Sequence, residues 1–331
     1  MVDGFIDKHP HLYHYTTEAG LAGILDANSF WATYFADLND STEIFHLKDP
    51  LKRELSNRLA VSMRAYRSSS VEARRIVVRN GGAERMARKL TTSWVDALYS
   101  TTFEQDDDKR QGFCGIVSFC SHADDQDYER ENGLLSQWRG YGRDGGYCLV
   151  FDTAAMQALI NRERSSNFYL HVELSAVKYL FRKELVAEYF QELIDRSIDI
   201  AKASLNDDPN VKSLASQVFV PFVNSATTTK HRGFYEEREI RLVAMAATEA
   251  ADARIRDKEG YRPEPIKAHF ELNRGGRLRH YIELFGLNFE RLPLIKILVG
   301  PSRKQADNIK FAQSLVSNRV PVFASETPYI D

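Results

Sequence analysis

Cysteine is scarce, three residues in 331, and no pair has CxxC spacing, which excludes a disulfide scaffold. Cys114, Cys120 and Cys148 each sit in an apolar, strand-like run. Three buried thiols fit a reducing compartment, and a cytoplasmic location is expected. No apolar stretch approaches the ~18 residues that span a bilayer, and the opening MVDGFIDKHP lacks a charged-then-apolar leader pattern. No membrane partner is therefore expected. Charge of one sign is also lacking: 44 Lys plus Arg against 46 Asp plus Glu leaves −2, which excludes a wholesale electrostatic grip on nucleic acid. GxxxxGK[ST] and GxGxxG are missing, so neither a P-loop nor a Rossmann turn is supported.

What is present is ordinary globular material, 43% hydrophobic, 27% charged and 11% aromatic. The length allows one large domain or two smaller ones at roughly 150 residues each. The first segment reads as strand (11–17), helix (18–28, with Leu21, Ile24 and Leu25 on one face and Asn28 as the stop) and strand (29–37). Residues 42–110 read as a polar helical insertion, in which Met86, Leu90, Trp94 and Leu98 form a stripe four apart. Strands are expected at 113–120, 146–152 and 168–180, with a short helix at 133–142 ended by glycine. A long amphipathic helix from about Phe181 to Leu205 and another running to about Lys230 follow. The last third reads as β-rich: 235–247, a polar loop to about Pro265, then 266–272, 277–284 and 294–300, a helix from Ser302 and a closing strand. Mixed elements without βαβ alternation favour an α+β fold in a single domain, 1–331, with helical segments at about 42–110 and 181–230.

The densest polar signal is Tyr235-Glu236-Glu237-Arg238-Glu239-Ile240-Arg241, which leads into apolar residues. On a strand, Tyr235, Glu237, Glu239 and Arg241 share one face. Two carboxylates so placed repel, which suits them to a cationic transition state or to proton abstraction, unless Arg238 and Arg241 pair with them at an edge. His14, between Tyr13 and Tyr15, either holds a ribose hydroxyl or amide or serves as a core or capping residue; Thr16 or Thr17 caps the helix after it. In Asn39-Asp40-Ser41-Thr42-Glu43, capping by Asp40 or Ser41 competes with a polar ligand site that uses Asn39, Asp40 or Glu43. His122, Asp124, Asp125 and Asp127 offer metal-type ligands without the spacing of a known site. Gly142–Gly146 is a glycine-rich turn, and Ser302-Arg303-Lys304-Gln305 has capping-box spacing. Arg74, Arg75, Arg79, Arg85, Arg88 and Lys89 form a basic stretch that reads as a solvated face or a phosphate contact.

Leu12–Thr16, Gly23-Ile24-Leu25, Trp31, Leu38–Glu43, Val117–Ser121, Trp138 with Tyr141, Gly146–Asp152, Glu237-x-Glu239-x-Arg241 and Ile297–Pro301 follow one another in a fairly specific order. Over nearly the whole chain they resemble a large bacterial family labelled a domain of unknown function. More remotely, the opening resembles the NAD-binding half of ADP-ribosyltransferases of the His-Tyr-Glu type: a strand histidine, a helix of the form xxGIL, then an aromatic strand. That resemblance implies a split mixed or antiparallel sheet of the ADP-ribosyltransferase kind, with NAD as substrate. It implies that His14 holds the adenosine-side ribose and that Tyr34 packs on nicotinamide, with Tyr15, Trp31 and Tyr147 as alternatives. Thr16, Asn39 and Arg241 would complete the NAD-binding set, and Glu239 or Glu237 would be the catalytic carboxylate, in chemistry akin to glycoside cleavage. The expected function is ADP-ribosyl transfer from NAD to a macromolecular target, in a toxin, effector or antiviral defence protein, with NAD glycohydrolysis as the same chemistry. The alternatives are an inert ligand- or protein-binding module and a metal-dependent nuclease.

Overall fold

The structure, a computed structural model, describes residues 2–38, 42–104, 110–122, 127–142, 145–180, 185–206, 208–260, 262–274, 276–316 and 319–328. The chain divides into two compact units. The first holds Met1–Leu38, Phe113–Val177 and Phe234–Asp331; the second holds Asn39–Gly112 and Lys178–Gly233. The two segments read from sequence as helical are thus the two halves of the second unit.

With elements numbered along the whole chain, the first unit carries the strands β1 (His11–Thr16), β2 (Ser29–Tyr34), β3 (Gly112–Cys120), β4 (Tyr147–Asp152), β5 (Tyr169–Ala176), β8 (Glu239–Ala247), β9 (Phe270–Arg274), β10 (Arg277–Phe285), β11 (Leu294–Val299) and β12 (Val322–Ala324). They form one sheet in the order β12-β11-β4-β1-β3-β2-β10-β9, with β8 pairing β3 and β5. The ladder is antiparallel at β1–β4, β2–β10 and β5–β8 and parallel at β11–β12, so the sheet is mixed. Its helices are α1 (Val2–Lys8), α2 (Glu18–Ala27), α6 (Asp127–Asn132), α7 (Leu135–Tyr141), α8 (Thr153–Ser166), α13 (Glu249–Glu259) and α14 (Gln305–Val316). This is an α+β architecture.

Local chemistry sets the boundaries. Thr17 Oγ1 accepts the Gly20 N–H at the start of α2, and Asn28 ends it in the left-handed region at φ 51°. On β1, Tyr13 and Tyr15 pack with Cys120, Trp138, Cys148 and Leu298 in one buried cluster. Gly300 lets that cluster close, since a Cβ there would lie 2.8 Å from the Trp138 ring. Helices α8 and α13 are among those the sequence reading lacks. Helix α8 was not expected between the strands: Asp152 caps it by accepting from Ala155 N, and Met156, Leu159, Ile160 and Glu163 are its buried face. Helix α13 replaces the first part of the expected polar loop. Of its residues Ala251 is buried, so apolar periodicity gives no signal for it, and its Thr248 cap carries the start.

The second unit holds α3 (Lys48–Ser69), α4 (Val71–Arg79), α5 (Ala83–Thr102), α9 (Leu185–Tyr189), α10 (Gln191–Leu205), α11 (Val211–Ser216) and α12 (Phe219–Thr227), with a small parallel pair, β6 (Lys178–Leu180) and β7 (Thr229–His231). The long helix expected from Phe181 is two helices broken at Phe190, and the strand expected to run to residue 180 ends at Ala176. Glu43, offered from sequence as a ligand contact, is buried here against Lys230 at 3.2 Å. Asn39, Asp40 and Ser41 lie outside the described residues, as do Asp106–Asp108, Asp124, Asp125, Arg143 and Asp144.

Candidate functional site

Strand β3 pairs with β1, β2 and β8. A strand has two edges, so three partners must share them at different heights and the sheet splits over β3. Strand β1 meets it at Tyr13–Cys120, and β2 meets it at Thr33–Ile116 and Tyr34–Gly115. Ser118 lies between those joints and is the exposed residue of an otherwise buried strand.

His14 stands at this point. Its Nδ1 donates to the Ser118 carbonyl at 2.9 Å, where a regular ladder would place a backbone N–H. A carbonyl only accepts, so the neutral ring carries its proton on Nδ1 and keeps Nε2 as an acceptor. The ring is half-buried, with Phe30 5.4 Å and Phe119 5.6 Å away. Burial lowers its pKa, against which the Ser118 bond pulls upward, so the imidazole is neutral near pH 7. Thr16, at the end of β1, is half-buried with Oγ1 over the first turn of α2, where a Gly20 Cβ would be 1.9 Å from it.

The aromatic candidates disperse. Tyr15 is consumed by the core: its hydroxyl accepts the Leu134 N–H at 2.7 Å and bonds His122 Nε2 at 3.1 Å, and its ring meets Trp138 edge-on. Burial, with the Cys148 and Cys120 thiols adding, pushes its pKa up. Tyr147 is buried beside Phe311, its pKa pushed up to about 12 by burial and then by Glu18. Tyr34 is buried, stacked on Phe113 at 4.4 Å, and β2 ends with it; Phe35–Asp37 turn as a 3₁₀ helix where the sequence reading continues the strand. Trp31 is the exposed one, stacked on Tyr281 at 4.3 Å.

The expected carboxylate pair is not formed. Strand β8 starts at Glu239, Arg238 has φ 42°, and Arg232–Glu237 is a 3₁₀ helix, so Glu237 leaves the strand face that Glu239 and Arg241 share. Instead of facing a second carboxylate, Glu239 is gripped by Arg241: Nε to Oε1 at 2.8 Å and NH2 to Oε2 at 2.9 Å, with side-chain exposures of 5% and 2%. This is a two-pronged buried ion pair, which cancels the charge of each group. Arg238 turns away to Glu129, 2.5 Å from NH1 to Oε2.

The metal reading loses its histidine as well, since His122 is buried and stacked on Tyr13 at 3.6 Å. The Gly142–Gly146 turn has a packing reason: Gly145 sits at φ 92°, and a Cβ there would be 2.3 Å from Asn308 Nδ2. Sequence reasoning missed Asp37 and His280. Asp37 Oδ2 accepts from both the backbone N and Nδ1 of His280, at 2.8 and 2.9 Å, and Glu271 is 3.5 Å from Nε2. The two residues are 243 apart in the chain, so no local pattern signals them.

Residues 137–242 match a family described as a protein of unknown function (DUF2971). The match covers about a third of the chain, not nearly all of it; it includes Tyr147, Glu239 and Arg241 and leaves His14 outside. No curated protein and no solved structure matches the chain.

Proposed function

We propose that the first unit handles NAD at the split in its sheet and transfers ADP-ribose from it to a macromolecule or to water. The observation that carries this reading is His14: a neutral, half-exposed imidazole locked by Nδ1 to the Ser118 carbonyl, with Nε2 oriented as an acceptor for a ribose hydroxyl. The order of elements supports it, since a strand histidine, a GIL helix, an aromatic strand and a late strand bearing Glu239 follow one another.

In the transfer, the bond between the ribose anomeric carbon and nicotinamide breaks and nicotinamide leaves with the bonding electrons. An oxygen of the target or of water forms the new bond, and its proton passes to Glu239. Glu239 does this only after letting go of Arg241. A pyrophosphate is the fitting exchange partner, because a guanidinium grips phosphate with the same two-pronged geometry as carboxylate.

Purified protein with NAD is expected to release nicotinamide, followed by chromatography and mass spectrometry. His14→Ala is expected to lower the rate at least tenfold, and Glu239→Gln at least a hundredfold, with folding checked by circular dichroism. The sealed Glu239–Arg241 pair favours a second reading, a module that binds without turnover. Saturable NAD binding with no nicotinamide released would establish that reading, and the lack of both binding and release would sink the two together.

A further inference from the structure

The second unit carries a charged surface of a different kind. The whole chain has a net charge of −2, yet residues 64–89 hold seven arginines and one lysine against two glutamates, a local excess of six. They span the end of α3, all of α4 and the start of α5. Both glutamates are already taken, Glu84 by Arg64 at 2.7 Å and Glu72 by Arg75 at 4.0 Å. Arg74, Arg79, Arg85, Arg88 and Lys89 are exposed and, among the described residues, form no ion pair.

The three pieces meet at one corner. Helix α3 packs against both α4 and α5. The Arg64–Glu84 pair joins the end of α3 to the start of α5, and the Gly81–Gly82 turn, at φ 83° and 95°, leads α4 round to the same place. Arg85 lies across that turn: a Cβ at Gly81 would be 2.6 Å from its Cδ, so the glycine leaves the arginine its seat beside the end of α4. The buried face of α4 is Ala73 and Val77, and Arg75 and Arg79 stand opposite it, one turn apart. The innermost face of α5 runs through Ala83, Ala87, Thr91 and Val95, not along the stripe read from sequence through Leu90 and Trp94. Arg85 and Lys89 stand opposite its start, again one turn apart.

Like charges one turn apart on a helix repel, and mixed signs would keep the same faces solvated without that cost. A polyanion laid across the corner removes the repulsion. Arginine predominates over lysine here, and its fork matches two phosphate oxygens at once. Within residues 64–89 the exposed large apolar side chains are Val71 and Val78. There is thus no exposed aromatic ring for unpaired bases to stack on, and no exposed Trp, Phe or Leu to enter lipid. We infer that this corner binds the phosphate backbone of double-stranded nucleic acid without reading its bases. The inference rests on the second unit alone and is independent of any reading of His14.

Fluorescence anisotropy of labelled duplexes titrated with the full chain, without NAD, tests it. DNA and RNA duplexes of about 20 base pairs and unrelated sequence are all expected to bind, since phosphate contacts carry no base information. Raising salt from about 50 to about 200 mM should weaken binding about 10²–10³-fold, as for about five neutralised phosphates. Single strands of the same length should bind more weakly, because their charge density is lower. Arg79→Gln, Arg85→Gln and Arg88→Gln together should weaken duplex binding by about tenfold or more and lower the log–log salt slope by about three. Their side chains are exposed, so the fold is expected to survive, as circular dichroism would show. Arg303→Gln, Lys304→Gln and Lys310→Gln together remove the same charge from the first unit and should leave affinity and slope unchanged. The inference is overturned if no duplex binds at about 50 mM salt, or if the two triple variants behave alike. Single strands bound as tightly as duplexes, a marked preference for one base sequence, or tighter binding to phosphatidylserine vesicles than to duplex overturns it too.

Discussion

At the scale of single residues, the Glu239–Arg241 pair does more for the fold than either partner could alone. Taking two charges out of water is costly, and what offsets the cost is the paired geometry; remove one partner and the other is left charged and buried. Glu239→Ala is therefore expected to destabilise the protein by about 3–5 kcal/mol in urea unfolding. The double change Glu239→Leu with Arg241→Met should recover most of that. If the single variant is as stable as the parent, the pair is not sealed as described. The sequence shows both residues but not their pairing. Strand alternation places them on one face; that Glu237 does not join them was decided by the 3₁₀ turn before Arg238.

At the scale of elements, the cap and stop read for α2, Thr17 and Asn28, fall where the sequence places them, while Ser302 does not form the capping box its spacing offers, since α14 starts at Gln305. Asn28 reads as a helix stop and is one, but it does a second job that no local pattern shows. Its Nδ2 donates to the carbonyls of Gly286 and Glu290, both at 3.0 Å, and its Oδ1 accepts from Leu292 N at 2.9 Å. One side chain thus fixes the connection between β10 and β11. Asn28→Ala loses these bonds and strains the left-handed backbone, so it is expected to cost about 2–4 kcal/mol. Asn28→Gly keeps the backbone and loses the bonds, so it should fall between parent and Ala when their urea midpoints are compared. Equal stability of Ala and Gly would remove the strain from the account. The missed helix α8 was in principle legible from Met156, Leu159 and Ile160 behind an Asp152 cap; α13, polar almost all round, was not.

At the scale of the whole molecule, the first unit carries buried histidines that make it sensitive to acid. Burial lowers His122 to about 3, with Arg238 and Lys296 nearby opposing its charge, and lowers His171 to about 4, with Arg164 opposing. An unfolded histidine titrates near 6.5, so below that pH the unfolded chain binds more protons and stability falls as pH falls. The loss runs from about pH 6.5 down to about 4 for His171 and about 3 for His122. At pH 5 it amounts to about 2 kcal/mol for each histidine. Urea midpoints measured from pH 8 to 4.5 are expected to drop accordingly, and His171→Leu should flatten the slope by about half. A flat profile in the parent would show that both rings are reached by solvent.

The sequence by itself determined the α+β class, the helical character of the two segments that fall in the second unit, most strands, and the histidine on the first of them. Such features depend on composition, on periodicity and on neighbours within a few residues, which a linear reading contains. Tertiary structure alone decided that Glu239 is held by Arg241, that Tyr15 and Tyr147 belong to the core, and that Asp37 meets His280. Each of these depends on which surfaces pack together across long stretches of chain, where burial and partner choice are set by the whole fold and not by local spacing.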